Sequence, residues 1–171
     1  MHLIKLASIK DATLLSKLSK QTFLTSHGHS APKEVIENFI SKNFSVKSYI
    51  TELENTENIF LLIYYKEKIA GYSKIIFDNK CKDVNTNNVT YLSRIYLLEE
   101  FYGLGLGKKL LDFNISFCKK NNQSGIWLYV WKENNKAISF YNKNGFKIVG
   151  NYDYRLSENH TNPNHVLFLK F

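Results

Sequence analysis

The stretch Tyr91-Leu-Ser-Arg-Ile-Tyr-Leu-Leu-Glu-Glu-Phe-Tyr-Gly-Leu-Gly-Leu-Gly-Lys-Lys-Leu-Leu111 changes character twice in 21 residues. It opens inside an apolar, β-prone run, Val89 to Leu98, and passes through a short acidic turn at Glu99 and Glu100. Gly103, Gly105 and Gly107 follow at alternate positions, and Lys108 and Lys109 come straight after. From Leu106 the spacing is helical, with Leu106, Leu110, Phe113 and Phe117 on one line and Leu111, Ile115 and Cys118 beside it. A strand, a bare glycine turn and a helix start together present backbone N–H groups to an anion.

Downstream, Gly125 opens a strand over Ile126–Trp131. Asn134 is a good N-cap for a helix carrying Ala137, Ile138, Phe140 and Tyr141, and Gly145 stands just past its end. Phe146–Val149 and His165–Phe171 read as strands joined by a polar loop around Ser157 to Asn164. Upstream, Leu3–Ile9 reads as a first strand, with Asp11 capping a helix that carries Leu14, Leu15 and Leu18 into Gln21-Thr22-Phe23. His27-Gly28-His29-Ser30 breaks that pattern and reads as a loop with solvent-exposed histidines. Pro32 starts a helix with Val35, Ile36, Phe39 and Ile40 on one stripe, and Val46, Tyr49, Ile50 and Leu53 suggest a further short one. Ile59–Tyr65 and Ile69–Phe77 form a hairpin through a polar turn, and Asp78–Asn88 is an Asn-rich loop. The order β, α, α, β, β, β, α, β, α, β, β predicts an α/β mixed sheet, mostly antiparallel at its centre and flanked by helices. No repeat or linker interrupts it, so one domain over residues 1–171 is expected.

Bulk properties exclude several classes. Hydrophobic residues make up 44% and aromatics 15% of the 171, enough for a real core. The longest apolar stretch, Ile59–Tyr65, is strand-sized, so no membrane span is expected. Cys81 and Cys118 lie far apart without metal-ligand spacing, which argues against a disulfide scaffold and a zinc site, and no metal is expected. Free thiols fit a reducing, cytoplasmic setting. The net charge of +8 comes from 21 lysines and only Arg94 and Arg155. The lysines are scattered and arginine, the usual reader of bases, is nearly absent, so nucleic acid is not favoured as a partner. Exposed aromatics leave a homodimer open.

The glycine turn fails two nucleotide patterns. A Walker A loop needs glycine where Tyr102 stands and Ser or Thr where Lys109 stands. A dinucleotide fingerprint needs a third glycine at Lys108, and no acidic residue ends the strand that closes with Val130-Trp131. Gly105-Leu106-Gly107 instead resembles the Gln/Arg-x-x-Gly-x-Gly/Ala pyrophosphate loop of the GNAT N-acetyltransferases. Asn134-x-x-Ala137-x-x-x-Tyr141-x-x-x-Gly145-Phe146, about thirty residues on, is similar to that family's second signature. The resemblance covers nearly the whole chain, because the element order also matches the GNAT acyl-CoA N-acyltransferase fold. Within the family, Arg94-Ile95-Tyr96, Phe101-Tyr102, Gly105-Leu106-Gly107-Lys108, Ile126–Trp131, Ala137–Tyr141 and the Gln21-Thr22-Phe23 region look most like the PaiA-type spermidine/spermine N-acetyltransferases. The chain departs from these patterns at three places. Tyr102 occupies the Gln/Arg position, Ser93 stands where PaiA-type proteins tend to carry glutamate, and Gln21 stands where an acid would help a polyamine site.

The resemblance implies transfer of acetyl from the cosubstrate acetyl-CoA to a primary amine, a small amine or polyamine. Backbone N–H groups of Ile95, Tyr96 and Leu97 would meet the pantetheine and thioester. Tyr102, Gly103, Leu104, Gly105, Leu106, Gly107 and Lys108 would hold the pyrophosphate. Asn134 would touch the pantetheine arm, Ala137 would join the cofactor-binding residues, Lys143 would reach the phosphates, and Tyr141 would be the catalytic acid for the leaving sulfur. The general base is unassigned. Two alternatives stand beside this expectation: a protein or peptide N-acetyltransferase, and a non-catalytic acyl-CoA-sensing regulator.

Overall fold

The computed structural model describes residues 1–171. Seven strands form one sheet in the order β1-β2-β3-β4-β5-β7-β6. They are β1 (His2–Leu6), β2 (Asn58–Tyr65), β3 (Lys68–Ile76), β4 (Val89–Leu97), β5 (Gly125–Trp131), β6 (Lys147–Ser157) and β7 (His160–Lys170). Five helices accompany them: α1 (Ala12–His27), α2 (Lys33–Asn43), α3 (Val46–Glu54), α4 (Leu106–Lys120) and α5 (Asn135–Lys143). The sheet is mostly antiparallel; β4 and β5 run parallel, with Val89 opposite Gly125 and Tyr91 opposite Trp127.

The chain divides into two compact units. The first comprises residues 1–75 and 94–113. In it β1 pairs antiparallel with β2, Ile4 opposite Ile63. Leu61, Ile63, Ala70, Phe101, Leu106 and Leu110 form one buried cluster, which seats the start of α4. Gly71 lies so close to β4 that a Cβ there would stand 2.2 Å from the Tyr96 carbonyl oxygen, so only glycine fits. The second unit comprises residues 76–93 and 114–171. Its β5–β7–β6 ladder carries an aromatic layer in which Tyr91 stacks on Trp127 and Tyr129 on Tyr152, each with ring centres 4.3 Å apart. The Asn-rich loop closes over it, and the Trp127 Nε1–H donates to the Asn79 carbonyl at 2.7 Å.

Three boundaries differ from the sequence reading. The first strand stops at Leu6, and a 3-10 turn at Ile9–Asp11 precedes α1. Asp11 accepts from the Ser8 amide at 2.8 Å instead of capping α1 with its side chain. Helix α1 continues to His27, because Ser19, Thr22, Thr25 and Ser26 donate back to carbonyls of the preceding turn and so do not break it. The largest difference is at the C-terminus. The loop read around Ser157 to Asn164 is mostly strand, and β6 and β7 form a hairpin of 11-residue strands turning between Ser157 and His160. Strand β6 is mostly exposed at the end of the sheet, so nothing in its solvated sequence produced an apolar alternation.

Candidate active site

The glycine turn belongs to the first unit. After β4, Glu99–Phe101 make a 3-10 turn held by the Phe101 amide on the Leu98 carbonyl, at 3.0 Å. Phe101 and Leu106 are buried, whereas Tyr102, Gly103, Leu104 and Gly105 between them are exposed. The loop is thus pinned at both ends and open along its length. Gly103 and Gly105 have φ of +78° and +71°, the left-handed region that side chains avoid, and a Cβ on either would meet nothing within 4 Å. Backbone direction, then, and not crowding, demands glycine here. At the start of α4 the Lys109 amide donates to the Gly105 carbonyl at 3.1 Å. The amides of Leu106, Gly107 and Lys108 therefore precede the ladder of the helix, at the positive end of its dipole. Lys108 forms an ion pair with Asp112, and the Lys109 ammonium lies 3.3 Å from His2 Nδ1. Burial and the neighbouring Glu99 raise the Tyr102 phenol above its ordinary pKa.

Strand β4 brings Arg94, Ile95, Tyr96 and Leu97 into the same unit. Ile95 and Leu97 pack against the buried cluster under α4. Arg94 heads a polar network that no local pattern announced. Its guanidinium donates to both carboxylate oxygens of Glu52 at 3.1 Å and to the Tyr49 hydroxyl at 3.2 Å. Lys74 donates to the same Glu52 carboxylate at 2.8 Å, and Tyr49 shares a short hydrogen bond with Ser19. The Tyr72 hydroxyl is buried beside Ser19. Burial would raise the Glu52 carboxyl, but Arg94 and Lys74 together hold it below its ordinary value. Burial lowers Lys74, and Glu52 offsets part of that. Removing the shared carboxylate leaves two buried cations facing one another. Glu52→Gln is expected to destabilise the fold by about 3 kcal/mol, or roughly 6–12 °C in Tm, measured by urea and thermal unfolding.

His27 is the second residue that sequence reasoning misjudged. Its ring is not a solvated loop group: it stacks on Phe23 with centres 5.0 Å apart and meets Tyr96 edge-on at 6.2 Å. Burial, with a smaller push from His29, lowers its pKa to about 4. The period-3.6 pattern of α1 could have found this, since His27 stands four residues after the buried Phe23 on the same helix face.

The remaining candidates lie in the second unit. Asn134 caps α5, its side-chain oxygen accepting from the Ala137 amide at 3.1 Å. Tyr141 is buried between Phe140 and Phe146, each with ring centres 5.3 Å from its own. Its carbonyl accepts from the amides of Asn144 and Phe146, and Gly145, with φ of +87°, turns the chain back. Lys143 is exposed in the last turn.

Comparison with known proteins finds the acetyltransferase (GNAT) family matching residues 20–146. The chain is 28% identical over 138 residues to an uncharacterized N-acetyltransferase in the pepI 3′ region of Lactobacillus delbrueckii subsp. lactis, covering 81% of this chain and 80% of that one. It is 27% identical over 150 residues to spermidine N(1)-acetyltransferase of Thermoplasma acidophilum, covering 85% and 88%. Among solved structures, the PaiA N-acetyltransferase of Thermoplasma acidophilum in complex with coenzyme A superposes with a TM-score of 0.79 at 23% identity, over 100% of this chain and 99% of that one.

Proposed function

The chain belongs to the acetyltransferase (GNAT) family, and on that premise we propose that it moves acetyl from acetyl-CoA to a small primary amine, with polyamines as the leading acceptors. The observation that carries the cosubstrate is the open glycine turn, where two left-handed glycines leave the space of their missing side chains to a ligand. The name of the Thermoplasma acidophilum relative supports the acceptor class. The family match runs through both units, which supports one acetyltransferase domain over 1–171. Two buried thiols without a disulfide fit a cytoplasmic enzyme.

Three chemical needs follow from the reaction. The pyrophosphate needs donors: Gly103–Lys108 supply backbone N–H groups and the dipole of α4. Since Lys108 is already paired with Asp112 and Tyr102 replaces the family's Gln/Arg, this cradle relies on its backbone. The thioester oxygen needs stabilising as negative charge develops, which is the part given to the β4 amides of Ile95–Leu97. The departing sulfur needs a proton, and a phenol carries one at neutral pH, so Tyr141 donates it. Asn134, Ala137 and Lys143 complete the cosubstrate contacts. The amine must attack as the free base, although an alkylammonium holds its proton to a pKa of ~10.

Charge favours a second reading. Arg94 and Lys74 face a single carboxylate, Glu52, which leaves the β4 surroundings cationic and suits a peptide amine better than a polycation. Thiol release from acetyl-CoA, measured over polyamines, small amines and peptides, separates the two. Release with spermidine or another small amine supports the main reading, and release with peptides alone favours the second. No release with any acceptor overturns both.

A further inference from the structure

We propose that the free edge of the Arg94 guanidinium binds the carboxylate group of a small molecule, at a site that does not depend on acetyl transfer. Nη1 donates to Glu52 Oε2 at 3.1 Å and to the Tyr49 hydroxyl at 3.2 Å, and Nη2 donates to Glu52 Oε1 at 3.1 Å. Both Nη1 hydrogens and one on Nη2 are thereby used. A guanidinium has five N–H groups, so Nε–H and the outer Nη2–H are left over. No group in the chain accepts from either. These two N–H bonds lie side by side and point the same way. Such a parallel pair matches the two oxygens of a carboxylate, as the end-on pair already does with Glu52.

The edge is already oriented. The Phe44 and Tyr49 rings lie against the guanidinium, their centres 5.3 and 5.6 Å from Cζ, and with the Glu52 pair they fix its plane. The Arg94 side chain keeps 16% of its surface exposed, so solvent and small solutes reach it. Charge points to the same ligand. Arg94 and Lys74 share Glu52, the one carboxylate within ion-pair distance of either, and one positive charge is left over. Lys74 is only 8% exposed, and it gives Glu52 a single N–H of the three an ammonium has. Unpaired charge at such depth is costly, and a bound monoanion removes it. A carboxylate fits both the planar pair and the single charge, whereas a phosphate dianion would reverse the sign of the cluster.

The carboxylate has two sources, an acceptor amine that carries one or a free small acid. Arg94 and Arg155 are the only arginines, so the nitrogen-15 spectrum holds two Nε–H signals, and Arg155→Lys assigns them by removing one. Sodium formate is titrated into the folded protein at mildly acidic pH, with ionic strength held constant by sodium chloride. The Arg94 signal is expected to move downfield and saturate while the Arg155 signal stays in place. An Arg94 signal that does not move overturns the site. So does one that chloride moves equally, or one that moves in step with Arg155 without saturating. Thiol release with β-alanine and with its amide, β-alaninamide, then separates the sources. If the acceptor supplies the carboxylate, kcat/KM for the acid exceeds that for the amide by at least about 10-fold. Arg94→Lys, which keeps the charge and loses the planar edge, should remove that difference. Equal turnover of the two amines, with formate still saturating the Arg94 signal, supports the site with a free acid as its ligand. A wild-type protein that releases no thiol with any amine overturns the acetyl-transfer reading alone, and the formate titration still decides this one.

Discussion

Gly105→Val is expected to abolish acetyl-CoA binding while leaving a folded protein. Gly105 has φ of +71°, a conformation that costs an L-residue roughly 1–2 kcal/mol and a β-branched one more. A domain with about 5–15 kcal/mol of stability survives that. The valine also meets no neighbour, since a Cβ at this position has open space around it. That same space is where a phosphate would approach the amides of Leu106–Lys108, and two methyl groups fill it. Affinity should drop at least 100-fold, or about 3 kcal/mol. Calorimetric titration with acetyl-CoA and its thermal stabilisation of the protein both report this. Gly105→Asn separates backbone from bulk, because asparagine tolerates the left-handed region and should keep more affinity than valine. Gly71→Ala makes the opposite control. Its Cβ would lie 2.2 Å from a backbone oxygen, so the fold suffers before any ligand is involved. A Gly105→Val protein that binds acetyl-CoA as the wild type does would remove the pyrophosphate role from this turn.

Tyr141→Phe is expected to lower kcat by about 100- to 1,000-fold and to leave acetyl-CoA affinity within a factor of two. The substitution removes one oxygen and keeps the ring, which packs between Phe140 and Phe146. Stability should change by less than about 1.5 kcal/mol, since the ring packing is retained and one hydroxyl is the only loss. The position is fixed by its backbone: the Tyr141 carbonyl takes two amides at the end of α5, and the Gly145 reversal brings Phe146 against the ring. A group held this way needs little reorganisation to meet a leaving sulfur. Steady-state kinetics with saturating amine, alongside direct binding of acetyl-CoA, distinguishes the outcomes. Equal turnover in the two proteins would make Tyr141 a packing residue. A parallel loss of affinity would make it a binding one.

Much of this could be read from the chain because the signals are local. The reversal at Gly103–Gly107, the apolar line Leu106, Leu110, Phe113 and Phe117 in α4, and the Asn134 cap each depend on residues within a turn or two of one another. The hairpin of β2 and β3 was legible for the same reason: its strands are buried, and their runs are apolar throughout. Strand β6 was not, because a solvated edge strand takes its regularity from hydrogen bonds to a partner and not from its own side chains.

What the sequence alone determined, then, is the succession of strands, the glycine turn and the asparagine-to-tyrosine helix, all set by spacing and turn chemistry. What only the tertiary structure decided is which distant residues share an environment. Arg94 meets Glu52 across 42 positions, and Glu52 meets Lys74 across 22, so neither ion pair leaves a trace in local pattern. His27 passes for a loop histidine until Phe23 and Tyr96 enclose its ring. Burial and the electrostatics that follow from it belong to the packed surroundings of a side chain, and folding is what assembles those surroundings.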